Sequence, residues 1–134
     1  MRILKLNTPT VSIRHFTIKD LTCRCGCGRY KFEDSFLVRL EAFRLSYGDP
    51  LVITCGGRCV KHNKEVGGVP TSLHQCETKP ASAVDTTGAD CQEIYKAACL
   101  SGLFNEVEWH KTDGKNFVHL GYDAKQKGKD FKII

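Results

Sequence analysis

Apolar and polar positions follow two different periods along this chain, and the changes of period mark its elements. From Asp34 to Tyr47 the residues Phe36, Leu37, Leu40 and Phe43 recur at helical spacing, which predicts a helix with one apolar face. Asp34 stands where a capping residue is expected, and Gly48-Asp49-Pro50 closes the segment. Leu51 to Thr54 is a short apolar, β-branched run that reads as a buried strand, broken by Gly56-Gly57. Ser82 to Thr86 predicts a second short strand. Asp90 to Leu100 predicts a helix capped by Asp90, lined inside by Cys91, Ile94, Tyr95, Ala98 and Cys99, and ended by Gly102. Glu106 to His110 and Phe117 to Tyr122 predict two strands joined by a turn, with Asp113-Gly114 as the hairpin signal. Elsewhere, HFTIKDLTCRCGCG is expected to be a short extended segment and a glycine-punctuated loop. RCVKHNKEVGGVP is expected to be loop, with one helical turn around His62 to Val66. The sum is an α+β fold: a single domain over residues 1–134, with a small, mainly antiparallel sheet flanked by helices.

Composition narrows the class. With 134 residues, 41% hydrophobic and 26% charged, the chain is long enough to bury a core without staples. No run approaches the roughly 20 apolar residues of a membrane span. The lead MRILKLNTPTVSIRHF has no apolar core of secretory-signal length, so the expectation is a protein made in the cytoplasm that acts after release or as part of a particle. The net charge of +5 is spread along the chain, with no basic run interleaved with aromatics. Neither nucleic acid nor membrane is therefore an expected partner.

Eight cysteines are many for this length. Without a secretory signal, a disulfide framework is not the default. The cluster Cys23-x-Cys25-x-Cys27 raises the idea of a thiolate zinc site, but it is tighter than the usual two to four intervening residues, and no matching Cys-x2-Cys pair follows. Free or partly paired thiols are the favoured reading, with a second, structural zinc behind it.

Five histidines are present: His15, His62, His74, His110 and His119. His74 and Asp85 bracket a loop leading into a strand, and His110 and His119 lie on strands joined by a turn, so they can converge. Two histidines and a carboxylate are a frequent catalytic zinc set, leaving one position open for water whose pKa the metal lowers towards about 7. Spacing alone is weak support, since no His-Glu-x-x-His helix motif is present.

Read together, HFTIKDLTCRCGCG, the stretch from Leu37 through ITCGGRCVKHNKEVGGVPTSLH, then ASAVD and FVHLGYD resemble the zinc D-Ala-D-Ala carboxypeptidase-like peptidases. That group includes D,D-carboxypeptidases, D,D-dipeptidases and phage endolysins, and the hedgehog signalling domain shares its fold. The resemblance covers about residues 15 to 123. It implies one catalytic zinc ion held by His74, Asp85 and His119. It also implies a substrate-binding arginine at Arg58, and a residue at Ser72 that hydrogen-bonds substrate. The implied activity is hydrolysis of peptidoglycan stem or cross-link peptides by a monomer, reaching the cell wall after lysis or as a virion component.

Three departures stand out. The interval between His74 and Asp85 is four residues longer than usual, which predicts an enlarged loop, QCETKPAS, at the cleft mouth. Cys55 replaces a frequent serine. Asn116 stands where many relatives carry Glu or Asp, three residues before the last histidine, and cannot accept a proton. The base is then sought on the preceding strand, where Glu106, Glu108 and His110 share one face. His110 is the first choice and Glu108 the second, while Glu106 reads as a solvated strand residue. His15 and His62 are not expected to be ligands. Trp109 and Tyr122 are expected in the core by default, with the cleft as the alternative. The rival function is a zinc-containing binding or structural module of the same fold without catalysis.

Overall fold

The structure, a computed structural model, describes residues 13–134. Most of the N-terminal lead, on which the signal-peptide reading rests, lies outside them. Among the described residues there are four helices, α1 (Ile18–Leu21), α2 (Asp34–Tyr47), α3 (Val60–Glu65) and α4 (Cys91–Ser101). There are five strands, β1 (Val52–Cys55), β2 (Ala83–Thr87), β3 (Glu106–His110), β4 (Phe117–Gly121) and β5 (Asp130–Ile133). They form one sheet in the order β1-β2-β4-β3-β5, antiparallel throughout except for the parallel pair β3–β5. The α+β architecture with a mostly antiparallel sheet is as expected. No described helix is long and apolar enough to cross a membrane.

Alternation along the strands sorts the two faces of the sheet. Val84, Thr86, Val107, Val118 and Leu120 point into the core, where α2 contributes Phe36, Leu37, Leu40 and Phe43 and α4 contributes Cys91, Ile94 and Ala98. The rings of Phe36, Phe43 and Phe104 meet within 6.1 Å. Burial of each such ring stabilises the fold by about 1.5–3 kcal/mol. Trp109 and Tyr122 also pack against this core, and Tyr122 lies under the Arg39 guanidinium at 3.7 Å.

Several local expectations are corrected. HFTIKDL is not simply extended: Thr17 and Asp20 form a reciprocal capping box that starts α1. Asp34 is the first residue of α2 rather than its cap; Glu33 holds the cap position without a side-chain bond. Asp90 does cap α4, accepting from the Glu93 amide, and Gly48 and Gly102 end α2 and α4 with positive φ. Strand β5 had no counterpart in the sequence pattern. His15 serves structure, its Nδ1 lying 2.6 Å from the buried carboxylate of Glu41.

Candidate metal centre

One row of residues crosses the whole sheet. Cys55 on β1 faces Asp85 on β2, Asp85 faces His119 on β4, His119 faces Glu108 on β3, and Glu108 faces Lys132 on β5. All lie on the side opposite the core. A register irregularity between Ile53 and Cys55 makes this possible at β1, because two residues that would share a face in a regular strand are turned apart. Ile53 enters the core and Cys55 joins the row. His74 arrives from the loop before β2, held by hydrogen bonds from the Arg58 amide to its carbonyl and from its own amide to the Ser72 hydroxyl oxygen.

Three atoms converge at the centre of the row. His74 Nε2 lies 3.2 Å from Asp85 Oδ1 and 3.3 Å from His119 Nδ1, which is itself 3.2 Å from Asp85 Oδ1. The edge of a tetrahedron around zinc, with bonds of 2.0–2.1 Å, is about 3.3 Å. The opposite ring nitrogens are engaged: His74 Nδ1–H donates to the Gly56 carbonyl at 2.9 Å, and His119 Nε2–H donates to Glu106 Oε1 at 2.9 Å. Each bond fixes the tautomer that leaves the converging nitrogen with its lone pair, as metal-ligating histidines require. The donor set therefore fits zinc. Cys55, His74 and Asp85 also form a compact group, but Cys55 Sγ approaches His74 at Nδ1 (3.8 Å), on the side of the ring away from His119. That nitrogen is committed to Gly56, so the set with His119 is the better cage.

Without a metal the converging nitrogens can carry protons instead, and the charges of the cluster hold them there. Burial alone would raise the Asp85 carboxyl, yet hydrogen bonds from His119 and His74 hold it well below the usual carboxylate range. Burial alone would lower both histidines. The bonds of His74 to Asp85 and Cys55 outweigh it and push His74 up to about 10, while Asp85 and Glu106 raise His119. Burial would also raise the Cys55 thiol, but His74 and Arg58 beside it bring it below its ordinary value.

A cleft of about 580 Å³ opens over the row, lined among others by Arg58, Ser72, His74, Asp85, Glu108, His110 and His119. Every residue expected in the site thus faces one space. Arg58 donates from Nε to Cys55 Sγ at 3.4 Å and from Nη1 to Asn63 Oδ1 at 3.0 Å. A Cβ on Gly68 would press on Asn63 Oδ1 and lie 2.7 Å from Arg58 Nη1, so a larger residue there would have to push the ends of that pair aside. His110 stacks on Phe117 at 4.6 Å and donates from Nε2 to Glu108 Oε1 at 2.9 Å.

Residues 14–121 match the family model described as Peptidase M15. The chain belongs to the M15 peptidases. This is a family of zinc D-Ala-D-Ala carboxypeptidase-like enzymes, and its span here includes all the cleft residues named above. No curated protein sequence gives a significant match.

Within this M15 chain, two expectations change. Glu106 is not a solvated strand residue, because its carboxylate holds His119; only register could have shown this, since Glu106 lies two residues along β3 from the partner of His119. A Cβ on Gly121, opposite Glu106, would lie 3.0 Å from Glu106 Oε1, so this glycine makes room for the carboxylate. Asn116 is not among the cleft-lining residues and accepts the Trp109 indole N–H at 3.0 Å instead. The enlarged loop QCETKPAS does not rim the cleft. Cys76 is in the core, and Glu77 reaches the Val60 amide at 3.0 Å and Arg29 at 3.8 Å, so the loop braces the cysteine-rich segment.

Proposed function

We propose that this M15 chain is a zinc-dependent peptidase that hydrolyses amide bonds in peptidoglycan stem or cross-link peptides, as a D,D-carboxypeptidase or an endolysin-type endopeptidase. The observation that carries the reading is the triangle of His74 Nε2, Asp85 Oδ1 and His119 Nδ1, with sides of 3.2–3.3 Å, at the floor of a cleft that also holds a fixed arginine and a His–Glu pair. Zinc bound there supplies Lewis acidity, polarising an amide carbonyl and making water acidic enough to yield hydroxide near neutral pH.

The chain's own groups do the rest. Glu108 holds the Nε2–H of His110, which leaves His110 Nδ1 as the acceptor for the proton released by water. The imidazolium so formed is stabilised by the same carboxylate and returns a proton to the leaving amine. Arg58, always charged and held by Cys55 and Asn63, binds a substrate carboxylate or carbonyl, with Ser72 beside it. Lys115 and His62 also line the cleft, which suits a substrate rich in free carboxylates, as wall peptides are. The stage at which the chain meets such a substrate is after lysis or from a virion.

Zinc content and release of new amine termini from purified peptidoglycan, compared between the wild type and His119→Ala, test the reading. Cleavage by the wild type and its loss in the variant, together with loss of zinc from this site, are expected. A zinc-loaded wild type that cuts no peptidoglycan would shift the assignment to a binding module of the same fold. Full metal retention at the site by His119→Ala would overturn the ligand set.

A further inference from the structure

A second group of ligand-type side chains lies outside the cleft. Cys23, Cys25, Cys27 and Cys59 place four Sγ atoms within 4.8 Å of one another. Cys25 Sγ is 3.5 Å from Cys23 Sγ and 3.6 Å from Cys59 Sγ, and none of these cysteines is in a disulfide. Tetrahedral zinc with Zn–S bonds of 2.3 Å has sulfur–sulfur edges of about 3.8 Å. A disulfide needs about 2.05 Å and only two sulfurs.

The backbone explains how so tight a spacing works. In an extended strand, residues two apart sit about 6.6 Å from each other, too far for a shared ion. Here Gly26 and Gly28 take positive φ (90° and 84°), and the Cys23 amide closes onto the Arg29 carbonyl at 2.8 Å, which curls the loop until its alternate thiols meet. The fourth sulfur comes singly, from the cap position of α3. Two amides donate to the sulfurs: Cys59 N–H to Cys23 Sγ at 3.4 Å and His62 N–H to Cys59 Sγ at 3.3 Å. Such bonds suit thiolates. Arg29 and Lys61 line the same hollow, paired there with Glu77 and Glu65. Glu77 ties both sides together through Val60 and Arg29.

We infer that Cys23, Cys25, Cys27 and Cys59 form a tetrathiolate zinc site, separate from the cleft, that fastens the CRCGCG loop to the start of α3. Binding four thiols releases their protons to solvent and forms four Zn–S bonds, with no change of oxidation state. Cys59 follows Arg58 directly, so the site anchors the backbone that carries the cleft arginine.

The test uses His74→Ala/His119→Ala, which removes the cleft ligands and leaves the thiols. Purified with zinc under reducing conditions, this variant is expected to hold about one zinc equivalent, with an all-sulfur shell at about 2.3 Å by X-ray absorption. Adding Cys25→Ser and Cys27→Ser should remove that zinc. If the histidine variant fails to fold, the wild type decides alone. About two equivalents with a shell containing several sulfurs supports the site; a single equivalent with at most one sulfur neighbour overturns it. So would a disulfide within the four, found by mass spectrometry of the zinc-treated, reduced protein.

Discussion

The histidine–carboxylate cluster takes Asp85 and His119 from neighbouring strands and His74 from a loop bonded to them, whereas the thiol cluster stands on a glycine-turned loop and the cap of a short helix. In the first, backbone pairing sets the positions: Asp85, His119 and Glu108 are register partners, and second bonds from Gly56 and Glu106 set the ring orientations. In the second, three sulfurs lie in six residues of loop, two of them exposed, and pairing of strands fixes none of them. A preformed cage asks little reorganisation of its ion. A loop cage gains its order from the ion, so binding energy there becomes folding energy. The contrast separates a site suited to chemistry from one suited to fastening.

Three measurements sharpen this contrast. The largest effect is expected from His110→Ala, which should lower kcat for peptide hydrolysis by about 10²–10⁴-fold while leaving both zinc equivalents in place. Glu108→Gln should fall in the same direction but less far; if it falls further, Glu108 itself takes the proton. Next is Glu106→Gln, expected to weaken zinc at the cleft by about 10–100-fold through loss of the carboxylate that orients His119, with the thiol-bound zinc unmoved. Competition against a graded chelator reads both constants, and equal weakening at the two sites would break the assignment of Glu106.

The smallest effect concerns pH in the chelated protein. There His74, raised to about 10 against an unfolded value near 6.5, contributes stability that is complete below about pH 6.5 and is lost as pH rises towards 10. Denaturant midpoints of the chelated chain should fall across that window. Zinc requires the deprotonated imidazole, so the zinc-loaded chain should hold its stability there. Parallel falls in both would remove the link between His74 and the metal.

Much of this was legible in the sequence, for physical reasons that differ by element. Helix α2 has four apolar residues at helical spacing, α4 has its aspartate and glycine, and β3 and β4 flank a turn where Asp113 and Gly114 both take positive φ (55° and 75°). Helix α1 is too short at four residues to show a period, and its signal is the Thr17–Asp20 box alone. Strand β5 is a parallel edge strand, brought to β3 by the tertiary fold and not by a turn. The cleft residues were found by motif, but the partners that orient them were not. Glu106 and Cys55 depend on register, and Cys59 joins sulfurs 34 and 36 residues away. The loop containing Cys76 looked like an insertion at the cleft because its length was visible and its direction was not.

The single row across the sheet carries a further consequence, for lengths of chain more than for kinds of residue. Deleting one residue early in β4 would bring Val118 or Leu120 to the cleft and swing His119 towards the core, although every ligand would still be encoded. Extra residues between His74 and Asp85 fall between elements and leave the pairing untouched. Variation in such a protein should therefore accumulate as loop insertions and strand-face exchanges, and a frame slip inside β2, β3 or β4 should be the one change that no second substitution repairs.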